Sequence, residues 1–164
     1  MKNEHEIKIF DNFLSQDDLT IIHNYVKCVN SWGIQTSTNK NSPNEFLYYD
    51  VSNEEYFNTY LCEKIKEKLK FSYELKRIYF NGQWFSRNGD FHTDGTIATV
   101  LIYISEYQFG WGGFTEFILS DNENLIVSPV QNRMICFPGN IIHKGYSFAY
   151  QDCPMRISLA YKFI

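Results

Sequence analysis

The sequence contains nothing approaching the roughly eighteen consecutive apolar residues of a membrane-spanning helix, so no membrane contact is expected. Its cysteines, Cys28, Cys62, Cys136 and Cys153, form no CxxC pair, which excludes zinc-finger and thioredoxin readings. No signal peptide is evident, so the thiols are expected to be free in a reducing compartment and the protein cytoplasmic. There is no long basic run, and the formal net charge is -4. Both argue against a tight, non-specific grip on a phosphate backbone, although a small local basic patch remains compatible with them. No GxGxxG or Walker pattern surrounds Gly112 and Gly113, which read instead as a tight strand turn. Nothing in the sequence indicates an oligomeric state.

What is present suits one packed domain spanning residues 1–164. Hydrophobic residues make up 44% and aromatics 18% of the chain, a composition rich in strand formers and core side chains. A chain of this length buries roughly 70% of the surface exposed when unfolded. Ile7–Asp11 reads as a short strand. Ser15 and Asp18 form a capping box ahead of an apolar stripe of Leu19, Ile22, Val26 and Val29, which predicts a helix ending near Asn30. His23 lies beside that stripe and reads as a partly covered helix residue. Trp32–Asn44 is turn-rich, with Lys40-Asn-Ser-Pro43 an expected loop, and Phe46–Val51 has strand propensity. A second capping box, Ser52 with Glu55, is expected to open a helix carrying Phe57, Tyr60, Leu61, Ile65 and Leu69 on one face. From Tyr73 onward the period becomes that of strands: 73–80, 96–105, 111–117, 124–129, 132–137 and 154–163. Short strands separated by turn signals predict a jelly roll or barrel over 73–164, buttressed by helices from 12–71, rather than alternating βα units.

Two stretches carry the chemistry. In Tyr79-Phe-Asn-Gly-Gln-Trp-Phe-Ser-Arg-Asn-Gly-Asp-Phe-His92-Thr-Asp94, a strand would place His92 and Asp94 on one face, pointing into the same space. A further imidazole, His143, follows Pro138-Gly139, which reads as a turn that aims it. Two histidines and one carboxylate form a facial set that suits non-haem Fe(II) and leaves positions open for co-substrates. In the last strand Arg156, Ser158, Ala160 and Lys162 share one face, and Met155, Ile157, Leu159, Tyr161 and Phe163 share the other. The apolar face can receive the helices, so the Arg156 face would point inward. A buried guanidinium asks for a carboxylate or phosphate. The plainer alternatives are an ordinary turn residue at His143 and an Arg156–Glu116 salt bridge.

Taken together, Tyr79-x-x-Gly82-Gln83, His92-Thr-Asp94, Thr99-Val-Leu-Ile-Tyr-Ile, Gly112-Gly-Phe-Thr-Glu-Phe117, Phe137-Pro-Gly139, His143 and Arg156-Ile-Ser158 resemble the 2-oxoglutarate and Fe(II)-dependent dioxygenases of the prolyl-4-hydroxylase-like branch. The resemblance runs from Tyr79 to the C-terminus. It implies a mainly β fold with N-terminal helices, a cupin-like double-stranded β-helix, with iron held by His92, Asp94 and His143. It implies 2-oxoglutarate as co-substrate, its far carboxylate on Arg156 with Ser158 nearby and Tyr79 and Tyr103 beside it, O2 as oxidant, and ascorbate as a candidate reductant. The implied reaction is hydroxylation with release of succinate and CO2. Collagen-type members usually carry lysine where Arg156 stands and a shorter gap after the distal histidine, so Lys144 and Lys162 stay open as substitutes, and this departure bears on the prolyl target rather than on the cofactor. A peptidyl side chain, with proline the first candidate, is favoured over a small molecule or nucleobase. Trp84 and Arg87 in the loop before His92, and the segment Trp32–Tyr49, are candidate substrate contacts. The remaining alternatives are another metal-dependent barrel enzyme that uses the same triad without 2-oxoglutarate, which would leave Arg156 unexplained, and a metal-binding barrel without catalysis.

Overall fold

The computed structural model describes residues 6–36 and 44–164. Among the described residues, ten strands form two antiparallel sheets. The larger has the spatial order β1 (Lys8–Phe10), β8 (Met134–Pro138), β5 (Ala98–Tyr103), β10 (Arg156–Phe163), β4 (Leu75–Gln83), β3 (Glu45–Asp50) and β2 (Gly33–Thr36). The smaller is β7 (Glu123–Val127), β6 (Thr115–Ser120) and β9 (Ile142–Gly145). The protein is mainly β with N-terminal helices, in the jelly-roll arrangement of a double-stranded β-helix.

The alternation along β10 sorts the interior into two layers. Leu159, Tyr161 and Phe163 pack with Ile78, Phe80, Val100 and Ile102 against the helices. Those helices are α1 (Gln16–Lys27), contributing Leu19 and Ile22, and a π-helical segment (Tyr56–Leu61) that runs into α2 (Cys62–Leu69) and contributes Phe57, Leu61, Ile65 and Leu69. On the opposite face, Leu101, Tyr103, Ile135, Phe137 and Ala160 meet Phe117 and Val127 of the smaller sheet. The site lies between the sheets because Arg156, Ser158 and Lys162 are carried on that same inner face.

The Ser15 cap forms as its residues predict. Ser15 Oγ accepts from the Asp18 amide at 3.1 Å, and the Asp18 carboxylate accepts from the Ser15 amide at 3.3 Å. The second capping box does not form. Ser52 Oγ instead accepts from the Ile78 amide at 2.9 Å and donates to the Ile78 carbonyl at 3.2 Å, completing the edge where β3 leaves β4. The helical segment that follows has no side-chain cap. A Ser-x-x-Glu pattern cannot distinguish these outcomes, because a serine hydroxyl satisfies a strand's backbone as readily as a helix's.

The stretch before Asp94 is another departure. Beyond Gln83 the chain leaves the sheet at a turn in which the Arg87 amide donates to the Trp84 carbonyl, and only His92 regains a strand-like bridge, to His143. Trp32–Asn44, read as turns, contains β2; residues 37–43, including the expected Lys40–Pro43 loop, lie outside the described residues. Among the described residues no helix is long and apolar enough to cross a membrane, and the four cysteines are free.

Candidate active site

His92 and His143 meet through their backbones before their side chains. The His92 amide donates to the His143 carbonyl at 3.0 Å, and the His143 amide to the His92 carbonyl at 2.9 Å. This pair stitches the β4–β5 connection onto β9. Each imidazole then anchors Nδ1 on a carbonyl two residues upstream, His92 on Asp90 at 2.8 Å and His143 on Ile141 at 2.9 Å. A carbonyl can only accept, so Nδ1 carries the proton and each Nε2 presents its lone pair to the shared space. Asp94 enters that space with Oδ1 3.5 Å from His92 Nε2 and Oδ2 3.6 Å from His143 Nε2. The three ligand atoms lie within 4.8 Å of one another.

Asp94 is held from behind. Its amide donates to the Gly139 carbonyl at 2.8 Å, and Oδ2 accepts from Thr99 Oγ1 at 2.6 Å and from Lys162 Nζ. Gly139 is required by close approach: a Cβ there would lie 2.3 Å from the Thr96 carbonyl oxygen. Burial would raise the Asp94 pKa, but His92 and Lys162 outweigh it and hold the carboxyl well below its usual range. Burial pulls His143 down to about 4, which keeps it neutral and able to donate its lone pair. Burial pulls His92 down as well, but Asp94 and the Asp90 carbonyl more than offset this and its net shift is upward. This N, N, O donor set, open on one side, suits Fe(II).

A narrow cavity leads inward from His92 and His143 to Arg156, past Asn81, Ser158 and Leu101. Arg156 is 3% exposed. Its Nε donates to the Gly113 carbonyl at 2.6 Å, Nη1 to Gln83 Oε1 at 2.7 Å and Nη2 to Thr115 Oγ1 at 3.1 Å. Its guanidinium carbon lies 5.3 Å from the centroid of the Tyr103 ring, and the Tyr103 hydroxyl donates to Thr115 Oγ1 at 2.7 Å. Gly113, at φ +74°, brings its carbonyl this close only because it lacks a Cβ, which would lie 2.5 Å from the Phe148 ring.

All of these acceptors are neutral, so among the described residues the positive charge of Arg156 is buried without a counter-anion. Burial accordingly pulls its pKa down. The Glu116 alternative fails, since that carboxylate is engaged by the Tyr146 hydroxyl at 2.7 Å and by the Asn124 amide at 2.9 Å. Asn81 Oδ1, between Tyr79 and Gln83 on the inner face of β4, is buried with no hydrogen-bond partner among the described residues. A buried guanidinium whose neighbours are all neutral suits a carboxylate-bearing guest. Both the metal donor set and the buried guanidinium therefore fit Fe(II) and 2-oxoglutarate.

The other expected residues divide. Tyr79 and Ser158 line the cavity, whereas Trp84 and Arg87 are exposed and line neither this cavity nor its outer continuation. Lys144 points away, its ammonium 4.5 Å from the centroid of Tyr146. Lys162 is drawn to Asp94 rather than to the Arg156 end. His23 hydrogen-bonds the Ile104 carbonyl, outside the site. Gln83 and Thr115, the supports of Arg156, carried no signal of that role beyond the position of Gln83 next to Gly82. Thr99, which holds Asp94, could have been found from strand alternation, since it shares a face with Leu101 and Tyr103.

No family model and no curated protein matches the chain. Solved structures do. A prolyl-4-hydroxylase of Pseudomonas putida aligns at 18% identity with a TM-score of 0.77, over 97% of this chain and 92% of its own. A prolyl hydroxylase of Trichoplax adhaerens, in complex with a peptide fragment of the hypoxia inducible factor oxygen degradation domain, aligns at 16% with a TM-score of 0.76, over 99% and 84%. A non-haem alpha-ketoglutarate dependent carbocyclase from nogalamycin biosynthesis aligns at 10% with a TM-score of 0.72, over 98% and 79%. At these identities the likeness establishes the fold: this chain has the architecture of the 2-oxoglutarate/Fe(II) oxygenases, prolyl hydroxylases among them.

Proposed function

We propose that the protein is a 2-oxoglutarate- and Fe(II)-dependent oxygenase that hydroxylates a peptidyl side chain, with proline the first target to test. One observation carries this reading: His92, Asp94 and His143 converge at one end of a cavity whose other end is a buried guanidinium with no counter-anion among the described residues. Together, iron, 2-oxoglutarate and O2 supply the oxidative chemistry, in which decarboxylation to succinate and CO2 accompanies insertion of oxygen into a C–H bond of the target.

The chain's own residues bind and orient. His92 and His143 offer Nε2 because their Nδ1 protons are committed to carbonyls. Asp94 offers the oxygen that is less occupied, since Thr99 and Lys162 converge on Oδ2. Arg156 would receive the far carboxylate through its remaining N–H groups, with the Ser158 hydroxyl beside it. Tyr79 and Phe46, where the inner cavity meets the surface, limit the entry of water and so stray oxidation. Ascorbate would serve as the reductant that keeps iron ferrous. The carbocyclase likeness favours a second reading, in which the same centre acts on a small molecule.

Anaerobic titration with Fe(II) and 2-oxoglutarate tests the proposal. A weak visible charge-transfer band that requires both components is expected, followed on aeration by succinate release coupled to a mass gain of one oxygen in a peptide pool. A protein that takes up no stoichiometric metal would be a binding barrel instead.

A further inference from the structure

The inner cavity continues outward past His92 and Asp94 into a second space, and the two share Phe46, Tyr79, Gly89, His92 and Lys162. If the inner end takes the co-substrate, the outer space is where a target reaches the metal ligands. Its wall on the β4 side is cationic. Pairing between β10 and β4 slips between Lys162 and Phe163, which oppose Arg77 and Leu75, so Lys76 is an extra residue in the ladder. Bulges of this kind re-aim side chains, and here consecutive residues, Lys76 and Arg77, both line the outer space instead of alternating across the sheet.

Arg77 is held but not used up. Its Nε donates to Asp50 Oδ2 at 2.9 Å, and its guanidinium carbon lies 4.6 Å from the centroid of Tyr79 and 5.5 Å from that of Tyr48. Among the described residues its two terminal nitrogens have no acceptor. A guanidinium fixed through Nε and stacked on an aromatic ring presents a preorganised pair of parallel donors, the geometry that binds a carboxylate through both oxygens. Lys162 contributes little to such a guest, because its ammonium is committed to Asp94 and Thr99. Asp90 also lines the outer space, and its Oδ1 accepts from the Asn44 amide at 2.6 Å.

We propose that the target carries a carboxylate near the carbon that is oxidised, and that Arg77, with Lys76 beside it, receives that carboxylate. This rests on the oxygenase reading and narrows its substrate class to acidic molecules, either an Asp- or Glu-bearing peptide or a free acid. The apolar remainder of the target lies over Tyr79 and Phe46, at the junction with the metal ligands.

The test uses the full chain loaded anaerobically with Fe(II) and 2-oxoglutarate. It is equilibrated with a pool of short peptides bearing Asp or Glu, with a matched pool bearing Asn or Gln, and with free acidic amino acids as a third arm; retained species are identified by mass. A charge-assisted bidentate contact predicts that one acidic arm, peptide or free acid, is retained about tenfold or more over the amide pool. Arg77→Gln should abolish that preference while metal and 2-oxoglutarate titrations stay as in the wild type. Asp50→Asn, which removes the negative charge of the same surface pair but keeps a side-chain oxygen that can accept from Nε, should retain it. Equal retention of acidic and amide pools, retention of neither acidic arm, or a preference that survives Arg77→Gln would each overturn the inference. A wild-type protein that binds neither metal nor 2-oxoglutarate would instead overturn the oxygenase reading.

Discussion

Asp94 is a buried carboxylate that lies between two imidazoles and accepts from a threonine hydroxyl and an ammonium, and the Thr99 and Lys162 contacts make the anion the favoured form. Replacing it by alanine removes the anionic donor and leaves Lys162 buried without its partner. Asp94→Ala is therefore expected to lower divalent metal affinity by at least about a hundredfold, the order of effect of losing a carboxylate from a three-residue site. Titration with Co(II) checks this, and wild-type-like uptake would remove Asp94 from the ligand set. At the other end of the cavity, Arg156→Ala is expected to weaken 2-oxoglutarate binding by roughly thirtyfold, the scale of a charged hydrogen-bonded pair, with metal affinity little changed. Calorimetry in the presence of Zn(II) reads both constants. An unchanged co-substrate affinity would assign the far carboxylate elsewhere. Alternation along one strand made Arg156 and Ser158 legible as inward residues. The same reasoning could not place Trp84 and Arg87, because they follow the point where β4 ends and periodicity no longer governs direction.

Elements set these residues, and two of them are open to test. Asp18 caps α1, but it also accepts from Lys64 Nζ at 2.6 Å and from the Tyr56 hydroxyl at 2.8 Å, tying α1 to the second helical segment. Burial would raise its pKa; hydrogen bonds from Lys64, Ser15 and Tyr56 reverse this and hold it at about 2, against an ordinary 3.8. A depressed folded pKa means the unfolded chain binds the proton more tightly. The contribution is thus complete above the unfolded value and is lost as pH falls through the folded one. Asp18→Asn should cost roughly 2 kcal/mol in urea unfolding at pH 7, and the gap from the wild type should close between about pH 4 and pH 2. A gap independent of pH would mean the cap acts by shape alone. The turn after β8 is the second case. Gly139→Ala places a methyl against the Thr96 carbonyl and must displace the segment that carries Asp94, so loss of metal affinity is expected along with reduced stability. Stability that falls with metal affinity intact would show that the segment moves without disturbing the ligand. The Ser15 cap could be read from four residues because its partners are local. Ser52 could not, since its partner, Ile78, lies on another strand.

At the scale of the molecule, the two sheets hold a cavity with like charges at its inner and outer ends and a potential metal site between them, so the folded state is expected to gain stability from its ligands together. Zn(II) with 2-oxoglutarate, each at about a hundred times its dissociation constant, should raise the unfolding free energy by roughly 2.7 kcal/mol per independent site. Chelation should reverse the gain. Thermal unfolding with metal alone, co-substrate alone and both measures it, and a midpoint unmoved by either ligand would contradict a preformed site. The amino-acid sequence by itself determined the strand-rich class, the first helix and its cap, the two-faced last strand, and which residue types could make a metal site, because each depends on spacing within one stretch of chain. Only the tertiary structure decided that His92 and Asp94 sit in a loop steered by backbone bonds to His143 and Gly139, that Arg156 lies on the neutral side chains of Gln83 and Thr115, and that Lys162 belongs to Asp94. These are contacts between segments far apart in the chain, and their energies depend on burial and direction, which no local pattern records.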